Sequence, residues 1–343
     1  MTAPDDNDDS RPRAASVFDV AKVAGVSHQT VSRVLNDHPS LRDATRQKVL
    51  AAMRELNYRP NAAARALSSS RSRMIGILST SSGEYGPASS VAAVETAARA
   101  RGYSVTIANA DGLDPRSIDE AVNHLANLSA EGLVVVAPQT QVLVALSELS
   151  IGIPFVTLQA ADSDAPGARQ FDQVVGARLA TAHLVALGHR RIGHIAGPSE
   201  WLDASQRLAG FREELAVHGL DAGVVETGDW SAASGYRAAT ELISRGVSAI
   251  FVGNDQMALG AVSAATAAYL DVPGDLSIVG FDDVPEAAFY RPPLTTVRQD
   301  LAEAGRRAVA LLLGESDAAP SVHPELIVRA STAPPRSGHT ALE

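Results

Sequence analysis

The sequence predicts a small all-α head followed by an α/β body of two doubly wound parallel sheets. Three observations lead there. The chain has 343 residues, more than one ordinary core of roughly 100–200 residues holds, so two or three folded units are expected. Charge is unevenly spread: residues 14–73 carry 10 basic and 4 acidic side chains, a net of +6, while residues 1–13 stand at −2 and residues 74–343 at −14. The hydrophobic rhythm also changes at Met74, from helical spacing to short β-branched runs that alternate with amphipathic segments. A basic head on an acidic body points to a polyanion-binding module attached to something that does not bind polyanions.

Composition removes several classes. Hydrophobic residues at 45% and charged residues at 20% exclude wholesale disorder. The absence of Cys excludes disulfide scaffolds, thiolate metal sites and cysteine nucleophiles. No apolar run approaches the ~18 residues of a bilayer span, so no membrane partner is expected. The N-terminus, MTAPDDNDDSRPR, is acidic and polar and lacks the pattern of a secretory signal, so a soluble cytoplasmic protein is expected.

In chain order, residues 1–14 read as a disordered tail. Phe18, Val20, Ala21, Val23 and Ala24 have helical spacing that stops at Gly25. Ser27 is a good N-cap for a second helix through Val31, Val34 and Leu35 to Asn36. A third helix starts near Asp43 or Ala44 and is expected to bury Val49, Leu50, Met53 and Leu56. Two short helices around a tight Gly25 turn form a helix-turn-helix, with Val20, Ala21, Val26, Val31 and Val34 inside. The second helix leaves Ser27, His28, Gln29, Thr30, Ser32, Arg33 and Asn36 outward. That face has neither Glu nor Lys and can hydrogen-bond both phosphates and base edges. RPNAAARALSSSRSR (59–73) is an Ala-rich stretch ending in a Ser/Arg linker, the expected domain boundary.

In the body, strands are expected at 74–80, 103–109, 132–138, 154–160, 190–197, 249–254, 276–283 and 324–330. The helices between them centre on 88–101, 114–128, 140–149, 176–188, 205–218, 234–245, 256–270 and 300–313. Strand–helix alternation means parallel sheets covered on both faces, and nearly 270 residues of it suggest two sheets with a cleft between them. Ligands bind beyond the carboxyl ends of parallel strands, where Thr80, Gln159, Asn254 and Asp282 stand. A sugar needs bidentate partners for adjacent hydroxyls, which Asp282, Asn254 and Arg207 supply. It also needs an aromatic face, which Trp230 supplies with Phe171 as a further candidate. Trp230 lies in the polar loop DWSAAS, which argues against a core role. The spacings of His183, His189 and His194 fit no metal site, so structural or surface roles are expected. No G-x-S-x-G, P-loop, H-E-x-x-H or G-x-G-x-x-G is present, which argues against an enzyme and leaves no cofactor to expect.

The strings AKVAGVSHQTVSRVLN, TRQKVLAAMRELNYRPNAAARAL, AHLVALGHRRIGHIAGP, RLAGF, GDWSAASGY, NDQMALGA, SIVGFDD and PPLTTVRQD together resemble the lactose-repressor family of bacterial transcription regulators, over residues 17 to about 332. The resemblance implies a body like that of periplasmic sugar-binding proteins. The implied boundaries are a helix-turn-helix DNA-binding domain at 15–60, a hinge helix and linker at 61–73, and a ligand-binding and dimerisation body at 74–335. The body's N-subdomain covers about 74–171 and 300–322, its C-subdomain about 172–299 and 323–335, and 336–343 form a disordered tail. By the resemblance, His28, Gln29 and Arg33 read bases, and Ser27, Thr30, Ser32 and Asn36 touch phosphates. Asn61–Leu67 would form the hinge helix, with Leu67 the apolar wedge that kinks DNA and Asn61 and Ala64 beside it. Gln299 matches a cleft position. The family's type member has Tyr where His28 stands, which bears on operator preference. It has Leu where Glu84 stands, Asp for Gln159 and Phe for Leu301, which puts a simple β-galactoside in doubt. Glu84 either reaches extra hydroxyls of a larger sugar or is solvated.

The implied function is a ligand-responsive repressor that binds a pseudo-palindromic double-stranded operator as a homodimer and is released by a small carbohydrate. A C-terminus reading APPRSGHTALE, without heptads, favours a dimer over a tetramer. The alternatives are a purine-type or other corepressor-dependent regulator and a solute-binding protein, the latter opposed by the basic head.

Overall fold

The computed structural model describes residues 15–35, 41–58, 71–80, 83–149, 151–158, 172–315 and 323–336. The chain divides into two compact units, Met1–Ser72 and Arg73–Glu343.

The first unit begins with α1 (Val17–Ala24). Ser16 and Asp19 form a capping box at its start, and Gly25 closes it at φ 66°, donating to the Ala21 and Lys22 carbonyls. Only a residue without Cβ takes that left-handed turn at no cost, so Gly25 sets the angle into the next helix. Helix α2 (His28–Leu35) is capped by Ser27, whose Oγ accepts from the Thr30 amide at 3.2 Å. Helix α3 spans Asp43–Glu55. Val20, Ala21, Val31, Val34, Val49 and Ala52 make the core, with Val26, Met53 and Leu56 packed at its margin. Leu50, expected inside, is 37% exposed, and Ala52 is buried instead. The inward stripe of α3 runs Val49–Ala52–Met53–Leu56, and Leu50 lies about 100° off it.

The second unit holds two sheets. In the first, β1 (Met74–Ser79), β2 (Ser104–Asn109), β3 (Gly132–Val136) and β4 (Phe155–Thr157) run parallel in the order β2-β1-β3-β4. Helices α4 (Tyr85–Ala100) and α11 (Leu301–Leu312) cover one face through Val94, Ala97, Ala98, Ala304, Ala308 and Val309. Helices α5 (Pro115–Asn127) and α6 (Thr140–Glu148) cover the other through Ile118, Leu125, Val142 and Leu146. Strands buried on both faces read as continuous apolar runs, which is why MIGILST and GLVVVAP were legible.

The second sheet is β10-β9-β8-β7-β5-β6. Its strands are β5 (Ile192–Ala196), β6 (Val224–Thr227), β7 (Ala249–Val252), β8 (Ser277–Asp282), β9 (Thr295–Arg298) and β10 (Glu325–Ile327). Helices α7 (Gln173–Ala186) and α8 (Leu202–Val217) pack on one face around Phe211, Phe251 and Phe281. Helices α9 (Ala232–Ser244) and α10 (Asp255–Ala267) pack on the other around Leu242, Ile250 and Met257. Four features depart from the expected pattern. Strands β6 and β9 were not foreseen: each has four residues, β6 only half-buried and β9 beginning with two threonines. Strand β10 pairs antiparallel to β9, so this sheet is not wholly parallel. Helices α7 and α8 begin about three residues early, α7 because the Asp172 side chain caps the Val175 amide. Arg336, placed in the expected tail, ion-pairs with Asp275 and Asp271.

Candidate functional site

In the head, α2 presents Ser27, His28, Gln29 and Arg33 as exposed side chains, with Thr30 and Ser32 half-buried. The Ser27 and Thr30 hydroxyls lie 3.0 Å apart, so both are steered by the cap. The His28 ring rests against Phe18 of α1, centroids 5.3 Å apart and planes tilted by 37°, although Phe18 is itself 68% exposed. Asn36, Asn61, Ala64 and Leu67 lie outside the described residues, as do Gln159 and Phe171 in the body.

In the body, Arg207 and Gln173 from α8 and α7 meet Asp282, Gly253 and Gln299 at the carboxyl end of the second sheet, where ligands of parallel α/β units bind. Arg207, on α8, is buried. Its Nε donates to Gln173 Oε1 at 2.8 Å, one terminal nitrogen donates to the Gly253 carbonyl, and the other lies 3.5 Å from Asp282 Oδ1. The guanidinium sits 3.9 Å above the Phe281 ring and 5.7 Å from that of Trp230. Gln299 closes the circuit, donating to Asp282 Oδ1 at 2.9 Å and accepting from Gln173 at 2.8 Å. Asp282, the last residue of β8, holds φ at 105°, a strained value kept where its carboxylate meets Arg207 and Gln299. Burial pushes that carboxyl up to about 6, against the opposing pull of Arg207 and the Gln299 amide. Asp255, fully buried, is raised well above its ordinary range by burial and by Asp282, while it accepts from Thr296 Oγ1 at 2.6 Å and the Val284 amide at 2.9 Å.

Trp230 is only 7% exposed and belongs to the apolar cluster around Ile195, Trp201 and Met257. Its polar loop suggested otherwise. The reason lies in the backbone: at φ 70° the loop turns the indole inward, against Gly197, where a Cβ would stand 2.1 Å from the ring. Its Nε1 is buried with no partner among the described residues, as is Ser79 Oγ at the end of β1. Asn254 Oδ1 caps α10 through the Met257 amide at 2.8 Å, and its Nδ2 donates to the Trp230 carbonyl at 3.1 Å. Asn254 therefore fixes the Trp230 loop.

The opposite wall carries Thr80, half-buried just beyond β1, whose hydroxyl donates to Gln139 Oε1. Glu84 is half-buried at the start of α4 and makes no cap. Next to it, Tyr85 packs against the apolar cluster of the other subdomain, and its hydroxyl is raised by burial and by the charges of Asp282, Asp283 and Asp255. The two walls are stitched directly: Leu202 N donates to the Pro138 carbonyl at 2.8 Å and Thr140 N to the Glu200 carbonyl at 3.2 Å, bridging Gln139 and Trp201.

Gln139, Gln173, Trp201, Asp203 and Tyr85 were not anticipated. Trp201 and Asp203 follow β5, so the strand-end rule that found Asn254 applies to them too. Gln173 opens a helix and carries no local signal. The three histidines have structural partners. His183 bonds Thr332, His189 bonds Ser248 and Ser277, and His194 is stacked between Phe211 and Phe251 with its ring lowered to about 4 by burial. Among the described residues no group of three or more His, Asp or Glu is arranged to hold a metal, and no helix is long and apolar enough to cross a membrane.

Comparison with known proteins gives this geometry its context. Residues 16–61 match the description "bacterial regulatory proteins, lacI family", and residues 181–332 match a periplasmic binding protein-like domain. The lactose operon repressor of Escherichia coli K12 is 37% identical over 304 residues, covering 88% of this chain and 84% of its own. The crystal structure of the lac repressor dimer bound to operator and the anti-inducer ONPF superposes with a TM-score of 0.83, at 34% identity, covering 94% of this chain and all of that one. A purine repressor of Haemophilus influenzae PittGG is 35% identical over 92% of this chain and 98% of its own. A CelR–cellobiose complex has a TM-score of 0.66 at 30% identity, covering 92% and 99%. These relatives are transcriptional regulators, and the chain belongs to the lacI family of bacterial regulatory proteins.

Proposed function

We propose that this chain is a homodimeric repressor of a pseudo-palindromic operator, released when a small carbohydrate fills the cleft between its two sheets. The observation that carries the reading is the circuit of Arg207, Gln173, Gln299 and Asp282 beside Trp230 Nε1, which has no partner among the described residues. A polyol is the ligand such a site suits. Adjacent hydroxyls pair with a carboxylate and a guanidinium that are already held in place, and an indole covers the C–H face. Its charged groups hold one another and serve for grip rather than bond-breaking. Two solved relatives support a dimeric, operator-binding and ligand-responsive reading: the lac repressor dimer bound to operator and the anti-inducer ONPF, and the CelR–cellobiose complex.

On the DNA side, His28, Gln29 and Arg33 read base edges while Ser27, Thr30, Ser32 and Asn36 position the helix on phosphates. One helix-turn-helix reads few base pairs, so a two-fold dimer on two half-sites is the natural unit. Leu259 and Tyr236 are 42% and 41% exposed on packed helices α10 and α9, an apolar patch suited to that pairing. Asn61–Leu67 is the segment we assign to the hinge helix. The effector acts by changing how the two halves of the body sit, and so the spacing of the paired hinges. Coupling of about 1–3 kcal/mol is usual, and a 1:99 to 99:1 reversal needs about 5.5 kcal/mol. Operator DNA places its work in the cytoplasm.

The test is fluorescence anisotropy at fixed salt, on operators selected from a random DNA pool, with and without a panel of sugars. One sugar should raise the dissociation constant at least tenfold. Specific binding that appears only on adding a ligand such as a purine would replace induction by corepression.

A further inference from the structure

The amino ends of three strands meet where the body begins. In the first sheet β1 lies between β2 and β3, and Arg73, just ahead of β1, is the first residue of the body unit. Its backbone is held from both sides. The Arg73 amide donates to Glu131 Oε1 at 2.8 Å, just before β3. The Arg73 carbonyl accepts from the Ser104 amide at 2.9 Å and from the Ser104 hydroxyl at 3.2 Å, at the start of β2. Glu131 serves twice more. Its own amide donates to the Met74 carbonyl at 2.8 Å, and its Oε2 accepts from the Tyr103 hydroxyl at 3.3 Å.

Arg73 stands at φ 51°, a left-handed conformation that a residue with a Cβ rarely adopts. Such strain persists only where the surroundings over-determine it. Glu131 can impose it because it is itself fixed. It follows the closed end of α5, where the Ser129 and Ala130 amides bond back to Ala126 and Leu125, and it leads directly into β3. Nothing in a strand start requires this, since extended backbone would begin β1 equally well. A loose tether between head and body would need neither the strain nor the clasp. What the clasp does fix is the direction in which the chain leaves the body for the linker. It lies at the amino end of the first sheet, whereas ligands of parallel sheets bind at the carboxyl end.

We propose that Glu131 is a positioning residue for operator recognition. Through Arg73 it sets the exit direction of the linker, and so the spacing and rotation at which a dimer presents its two heads to DNA. This rests on the dimeric, operator-binding reading above.

The experiment measures half-site spacing with the full-length protein. A palindrome is selected from a random DNA pool with the unaltered chain. Fluorescence anisotropy then compares it with versions carrying one or two inserted central base pairs, two of which turn one half-site by about 70° around the DNA axis. The unaltered protein should bind the two-base-pair version at least tenfold more weakly. Glu131→Ala should cut that penalty below about threefold and leave affinity for a single half-site unchanged. Arg73→Pro, which removes both the N–H and the left-handed φ, should do the same. Glu131→Gln, whose amide oxygen still accepts from Arg73, should keep the tenfold penalty. Circular dichroism checks that each variant folds. Folded Glu131→Ala and Arg73→Pro variants that retain the full penalty overturn the proposal. So does an unaltered protein indifferent to spacing, or a Glu131→Ala variant that binds every spacing more weakly by one common factor. If the pool yields no palindrome, the operator reading itself falls and the role of Glu131 with it.

Discussion

Arg207 is the residue on which the cleft turns. A buried guanidinium needs its charge and donors met, and Gln173, the Gly253 carbonyl, Asp282 and the Phe281 face meet them in a fixed geometry. Lysine cannot reproduce that fork. Arg207→Lys should lower effector affinity more than tenfold and leave operator binding intact, a non-inducible repressor detectable by anisotropy. Asp282 shows the cost of holding such a site ready. Its carboxyl titrates at about 6 where the ordinary value is 3.8, because burial disfavours the ionised form. Between those values the folded state holds the proton more tightly than the unfolded state does. Stability from this group is therefore fully present below about 4, lost as pH rises through that window to about 6 and level above it, an effect of about 3 kcal/mol by pH 8. Asp282→Asn should make the sugar-free protein more stable in urea at pH 8 by up to that amount, with the gain gone near pH 4, while effector affinity drops.

At the scale of elements, small residues decide where the walls of the cleft lie. Gly260 lets α10 approach α9 until a Cβ would stand 1.9 Å from the Ala232 carbonyl oxygen, and Gly197 makes room for the Trp230 ring. Gly197→Ala should push the indole out, shifting tryptophan emission to the red and weakening effector binding, at a stability cost of about 1–3 kcal/mol. Much of this level was legible in the sequence. Helical spacing ending at Gly25 and a Ser27 cap gave the helix-turn-helix, and continuous apolar runs gave the buried strands. What escaped had little local signal. Strands β6 and β9 are too short for periodicity to mark, and β10 turns antiparallel through pairing with β9 alone. Within the cleft, Arg207, Asn254 and Asp282 could be placed from strand ends and resemblance. Gln173 and the wall-to-wall bond between Pro138 and Leu202 depend on residues far apart in sequence, which no local pattern encodes. Trp230 was read as open because its loop is polar, but a single positive φ turns it into the apolar cluster.

For the whole molecule, the proposed function requires two copies. If the Leu259–Tyr236 patch pairs them, Leu259→Glu should shift the sedimentation coefficient to that of a monomer and weaken operator binding at least tenfold, with little change in the melting of this exposed site. In the proposed repressor the cleft and the operator face are thermodynamically coupled, and coupling is reciprocal. The most direct measurement is therefore the effector's dissociation constant, read by tryptophan fluorescence with and without saturating operator. Operator should weaken effector binding by the same factor, at least tenfold, by which effector weakens operator binding. An effector affinity that operator leaves unchanged would contradict it.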